Sequence, residues 1–269
     1  MSIAAQLDQT EGAPPKLGLA LSGGGHRAAF FHIGVLAKLA ELGLLRRVEV
    51  LSTVSGGSIV GALFYLHVKN LLEDKSDESI TDGDYIQLVR ELEQQYRHAA
   101  ASNVRASAWA NLPANFKMVK PTYSRSDRVG EIYEQRFYAT AWRSRAKRNG
   151  RIAMRDLLIQ PHEHDGPFDP DVDNATRKAR VPILLLEATT LNTGHNWRFE
   201  AMYMGEPPRQ GTTDEAQRAD VDKNVILERT RWDALPASCQ NFPLGAAVAA
   251  SACFPGGFPP IQVPGLFKD

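Results

Sequence analysis

The sequence runs to 269 residues, 43% of them hydrophobic, enough to bury a sizeable core in one large α/β domain or two small ones. Thirty-one basic residues balance thirty-one acidic ones, so no overall field draws the chain to nucleic acid. Its two cysteines, Cys239 and Cys253, exclude a disulfide framework, and neither has the spacing or histidine neighbours of a zinc site.

Residues 1–15 have no basic stretch leading into a long apolar one, so they read as a flexible lead-in, and the expected location is cytoplasmic. From Lys16, "KLGLALSGG" has apolar residues on both faces and predicts a strand buried on both sides of a parallel sheet. Residues 28–42 predict a helix with Lys38 and Glu41 on its wet side and Gly43 as its stop. The β-branched run 48–54 predicts a second strand, and 58–68 the next helix. Strand, helix and strand in that order make a βαβ unit, with parallel strands and a right-handed crossover. From 70 to 180 the charge rises and apolar residues thin to amphipathic helices, with Tyr85, Leu88, Val89, Leu92 and Tyr96 at helical spacing. This segment is expected to lie on the core as a helical insertion or cap. A buried strand returns at 181–192. Trp197, Phe199, Ala201 and Tyr203 then alternate as in a strand paired by a hairpin. A polar loop (205–222), a buried helix (244–253) and a Pro-rich close follow. The apolar stretch 243–254 is too short and alanine-rich to span a bilayer.

Two strand-to-helix turns carry the chemistry. "SGGGHRAA", from Ser22, sets three glycines before a helix, so backbone N–H groups can approach a ligand at the positive end of the helix dipole. A tight turn alone would need only one glycine. In the second turn Ser55 is followed by Gly56 and Gly57, the arrangement of a nucleophile elbow, in which small neighbours tolerate a strained turn that exposes the hydroxyl. The plainer reading makes Ser55 a helix N-cap. On adjacent parallel strands both turns open into one crevice, which places nucleophile and oxyanion donors around the same carbonyl.

At these residues the sequence resembles the patatin-like phospholipases. That family carries a Gly-Gly-Gly-x-Arg/Lys loop after its first strand, a G-x-S-x-G elbow after the next, and an Asp-Gly-Gly or Asp-Gly-Ala motif near the end of the domain. Gly23, Gly24, Gly25, His26 and Arg27 match the first motif, and Ser55 with Gly57 the core of the second. "ASACFPGGFPPI", from Ala250, is similar to the turn that precedes the family's aspartate, which would be Asp269. The resemblance covers the chain from Lys16 onward as one domain, 16–269. It implies a three-layer α/β/α fold with a central, mostly parallel sheet. It also implies a lipid acyl hydrolase working by a Ser55–Asp269 dyad, with the N–H groups of Gly24, Gly25 and Gly56 as oxyanion hole beside Gly23, and with Arg27 bracing the loop or a substrate phosphate. Such serine chemistry needs no metal or cofactor. Thr53 and Ala28 stand where the family usually has glycine. The Gly-Gly after the family's aspartate is not in the sequence, so Asp269 is expected to be a poorly held base.

Other signals carry less. His26, His32 and His195 read as helix-face or loop histidines, since no triad order places one after a suitable acid. Residues 169–174, "DPDVDN", begin like a calcium loop, but Asn174 replaces the required glycine and Arg180 the bidentate glutamate, so they read as a solvated acidic loop. The basic cluster 142–151 reads as a solvated helix face ahead of a peripheral contact with anionic lipid. Two rival functions stay open. Gly23-x-Gly25-x-x-Ala28 with Glu49 fits a loose dinucleotide-binding fingerprint, and a non-catalytic lipid-binding relative would keep the fold alone.

Overall fold

The computed structural model describes residues 16–101, 123–143, 151–207, 228–254, 256–263 and 265–266. The lead-in 1–15, loop residues 208–222, basic residues 144–150 and Asp269 lie outside the described residues. β1 (Leu17–Leu21), β2 (Val48–Thr53) and β3 (Ile183–Thr189) are parallel neighbours. β4 (Asn196–Phe199), β5 (Tyr203–Gly205) and β6 (Thr230–Arg231) extend the sheet antiparallel, in sequence order. The expected α/β class holds, as a mixed six-stranded sheet flanked by helices. It is parallel where helices lie between the strands, and the antiparallel pairs β3–β4 and β4–β5 are joined by short hairpins. The alternation from Trp197 to Tyr203 is two strands rather than one: the chain turns between Phe199 and Tyr203, and Arg198 pairs with Gly205.

Leu21, Thr53, Leu186 and Phe199 form one row across the sheet, each 3% exposed or less. The other face of β1 differs from the expectation of two buried sides. Gly18 and Ala20 are exposed, and their neighbours across the sheet, Val50 and Ile183, Ser52 and Leu185, are only half-buried, so this face is less covered than the other among the described residues. Small side chains there leave little apolar surface to cover.

α1 (Gly25–Glu41) starts three residues before the helix read from the sequence, since Gly25, His26 and Arg27 already form its first turn. It ends where expected. Gly43 takes φ 69°, and Gly43 N and Leu44 N donate to Ala40 O and Leu39 O, a Schellman motif that only a residue tolerant of positive φ closes cheaply. α2 (Gly56–Asp74) is buried on every side from Gly56 to Leu66, as its lack of charged residues over that stretch requires. α3 (Asp82–Ala100) opens on a Thr81/Asp84 capping box, and its predicted stripe from Tyr85 to Tyr96 is at most 6% exposed, packed on α1 and α2.

α4 (Arg125–Tyr133) opens on a second capping box, Ser124/Asp127, and runs into a π turn, Glu134–Tyr138. The acidic stretch that imitates a calcium loop forms a one-turn helix, α5 (Pro170–Asp173). Its carboxylates serve its own backbone: Asp169 Oδ1 accepts from Asp171 N and Asp173 Oδ2 from Asp169 N. α6 (Leu244–Ala252) crosses α4 at a glycine pair, where a Cβ on Gly130 would lie 2.7 Å from Gly245 O. Burial pushes the Glu134 carboxyl up, an effect Arg151 partly offsets, and Glu134 Oε1 accepts from Gly245 N at 2.9 Å. That contact fixes the start of α6, whose far end reaches the second turn.

Candidate active site

The first turn is Ser22, Gly23 and Gly24, with Gly24 at φ 139° and Gly25 at φ 65°. A buried histidine anchors it: His32 Nε2 donates to Ser22 O at 2.9 Å, so this ring nitrogen carries the proton. Ala28, which departs from the family pattern, packs against Gly24 and leaves no room for a side chain there. Its Cβ would lie 3.0 Å from a Cβ on Gly24.

In the second turn Ser55 takes φ 53°, ψ −115°, and is one of two non-glycine residues at positive φ among the described residues. Such a conformation costs about 1–3 kcal/mol and persists only where its surroundings impose it. Ser55 precedes α2, yet its side chain makes no capping hydrogen bond, which sets aside the plain N-cap reading. Ser55 Oγ has no hydrogen-bond partner among the described residues. Its backbone is held instead, since Ser55 N donates to Ser251 Oγ at 3.0 Å.

The two turns touch, as the sequence implied. A side chain on Gly23 would begin 3.2 Å from Ser55 Cβ, and one on Gly56 would begin 2.2 Å from Gly25 O. Gly57 has the same constraint against Leu21 O, also 2.2 Å away. The glycines thus serve contact between the turns as much as backbone freedom. Helices α1 and α2 point their N-termini at Ser55, and neither has an acidic residue in its first turn to neutralise that end. The N–H groups of Gly24, Gly25 and Gly56 meet no acceptor outside their own helices among the described residues. These donors suit an anionic oxygen.

Ser55, Gly24, Gly25 and Arg27 line a cavity of about 720 Å³, within the usual range for ligand sites. Its other walls include Ile59, Val129, Tyr133 and Phe258, and Phe254 stands exposed at its edge. Arg27 is exposed in the first turn of α1. Cys253 also lines the cavity, but burial pushes its thiol up to about 11, so it stays protonated and non-nucleophilic near neutral pH. His26 lines the cavity too, with Nδ1 bonded to Tyr96 Oη at 2.7 Å and its ring stacked on Phe137. His195 pairs with Glu206 at 2.6 Å and does not line the cavity.

Sequence reasoning missed Ser251 and the apolar walls from α4, whose approach to Ser55 depends on the α4–α6 crossing. The dinucleotide reading does not fit this geometry. Glu49 sits at the start of β2, four residues from the strand's site end, where Arg180 pairs with it at 3.7 Å. A ribose-binding acid belongs at the opposite end. Of the basic cluster, Arg143 pairs with Asp74 and Arg151 with Glu134. No helix among the described residues is long and apolar enough to cross a membrane.

Among solved structures, the chain is similar to human GIVD cytosolic phospholipase A2 in complex with methyl γ-linolenyl fluorophosphonate. There the identity is 15% and the TM-score 0.49 over 92% of this chain and 31% of that one. The complex that also contains terbium chloride aligns at 15% identity and TM-score 0.46, over 88% of this chain and 30% of that one. Full-length ExoU of the Pseudomonas aeruginosa type III secretion system, in complex with full-length SpcU, aligns at 13% identity and TM-score 0.33, over 95% of this chain and 41% of that one. The chain thus spans under half the length of these proteins. No curated protein matches the sequence. The model of one family, patatin-like phospholipase, matches residues 19–267, a span that includes both glycine turns and Ser55, and the chain belongs to that family.

Proposed function

We propose that the protein is a serine acyl-ester hydrolase acting on lipids, of phospholipase A or lysophospholipase type, with Ser55 as nucleophile. One observation carries the reading: a strained, uncapped serine opens onto a cavity with apolar walls at Ile59, Val129 and Phe258, beside the unpaired N–H groups of two helix starts. Ser55 Oγ adds to the ester carbonyl carbon as its proton passes to a carboxylate, and the carbonyl electron pair moves to oxygen. Gly24, Gly25 and Gly56 donate to that oxyanion, while Gly23 leaves room beside Ser55. Collapse of the adduct expels the alcohol, which takes the proton back, and leaves an acyl ester on Ser55. Water then repeats both steps and releases the fatty acid.

The base assigned to this chemistry is Asp269, from the family resemblance. Arg27 is assigned to the substrate phosphate, and the wall formed by Ile59, Val129, Tyr133 and Phe258 to the acyl chain. Access to such a substrate is peripheral, at a lipid surface. The experiment is hydrolysis of a short-chain ester and of a lysophospholipid by the parent, Ser55→Ala and Asp269→Asn proteins. Ser55→Ala is expected to abolish turnover, and Asp269→Asn to cost about 10² to 10⁴ in rate. Parent-rate hydrolysis by folded Ser55→Ala contradicts the assignment. Lipid retention by both the parent and Ser55→Ala, with no hydrolysis by either, favours a non-catalytic lipid-binding protein.

A further inference from the structure

Thr53 is the residue at which the elbow departs from the family pattern, and it is fully buried. Its methyl Cγ2 fills a space that exists because position 61 is glycine, where a Cβ would lie 2.5 Å away. Its hydroxyl donates to Leu185 O on β3 at 3.0 Å. A hydroxyl has one proton, and this one is committed to a carbonyl that can only accept. The 3.0 Å contact between Thr53 Oγ1 and Ser58 Oγ therefore has Ser58 as donor. The 2.7 Å contact between Ser58 Oγ and Ser251 Oγ then has Ser251 as donor. Ser251 is left with lone pairs, and it accepts from Ser55 N at 3.0 Å.

Every proton is thus oriented in one direction, from Ser55 N–H through Ser251, Ser58 and Thr53 to the carbonyl of Leu185. We propose that Thr53, Ser58 and Ser251 are positioning residues: a one-way hydroxyl chain that holds the Val54–Ser55 peptide and thereby aims the Ser55 hydroxyl. This inference rests on the reading of Ser55 as nucleophile. Chained hydrogen bonds strengthen one another, and loss of any member leaves a buried partner unsatisfied. The chain crosses from α6 through α2 and β2 to β3, so it ties together the elements that meet at the elbow. It also explains the departure, since glycine at position 53 would supply neither the anchor hydroxyl nor the methyl that packs on Gly61.

The test uses Thr53→Val, which keeps the shape and removes the hydroxyl, Ser251→Ala, and the conservative Thr53→Ser. Saturation kinetics with an alkyl fluorophosphonate separate probe binding from bond formation at Ser55. Thr53→Val and Ser251→Ala are expected to slow bond formation by about 10- to 10²-fold with probe affinity little changed, because a misplacement near 1 Å costs about that much. Thr53→Ser is expected to restore the parent rate. The double variant Thr53→Val/Ser251→Ala should be no slower than either single one, because the members act as a unit. Parent rates in folded single variants, or failure of Thr53→Ser to restore, overturn the proposal. If the parent itself is not labelled at Ser55, the functional reading falls while amide exchange still decides the chain. Slow exchange at Ser55 N–H that becomes fast in Thr53→Val and Ser251→Ala upholds it, and unchanged exchange refutes it.

Discussion

Replacing Gly56 with alanine tests whether contact between the two turns builds the site. The new Cβ would sit 2.2 Å from Gly25 O and 2.9 Å from both Gly25 C and Gly25 N. All three are backbone atoms, so no side chain can swing aside. Because Cβ atoms essentially never approach within 3.0 Å, the elbow and the glycine loop must part by roughly 0.8 Å. That shift acts between Ser55 and the N–H groups of Gly24 and Gly25. Loss of one oxyanion donor costs about 10² to 10³ in rate, and a misplacement near 1 Å costs about 10². Overpacking adds about 1–3 kcal/mol of destabilisation. The assay is kcat and KM for a short-chain ester beside thermal unfolding, with Gly34→Ala as control. A Cβ at Gly34 has nothing within 4 Å, and alanine there should stabilise α1 by about 0.5–1 kcal/mol without changing turnover. The expected result is a fall in kcat of about 10² or more with KM little changed. Parent kcat in a folded Gly56→Ala protein would refute the claim that these two turns form one oxyanion site.

Gly130→Ala should separate α4 from α6, because its Cβ would meet Gly245 O at 2.7 Å. The expected loss is about 1–3 kcal/mol, read as a lower Tm. His67 gives a pH test. Burial holds its imidazole below the ordinary histidine value, although Gln95 accepts from it at 2.9 Å. The unfolded chain therefore binds a proton near pH 6.5 that the folded chain takes up only at lower pH, so this contribution to stability is present above about pH 6.5 and fades as pH falls. His67→Gln should flatten the fall in Tm between about pH 7 and 5, and identical slopes would contradict the assignment.

What could be read from the sequence was local. A strand, a glycine run and a helix follow one another within a few residues at both turns, so the turns and their shared crevice were legible from the spacing of Ser22–Gly25 and Ser55–Gly57. The stop at Gly43 and the stripe from Tyr85 to Tyr96 were legible for the same reason. The Ser251 contact was not, because it joins residues 196 apart and depends on the crossing of α4 and α6 at two glycines. Thr53 was legible only as a departure from the family pattern. Its partner is the absent side chain of Gly61, eight residues along and on the next element, which no local pattern displays. The helix starts at Gly25 and Gly56 were read late, because glycine is a poor helix former and only the contact between the two turns requires it there.

The central claim is that Ser55 is the nucleophile of an acyl-transfer site. Its most direct test is the mass of the intact protein after reaction with an alkyl fluorophosphonate, followed by peptide mapping of the adduct. The account predicts one adduct per chain, on Ser55, absent from Ser55→Ala and prevented by prior denaturation. An adduct on another residue, or none on a folded parent protein, would contradict it.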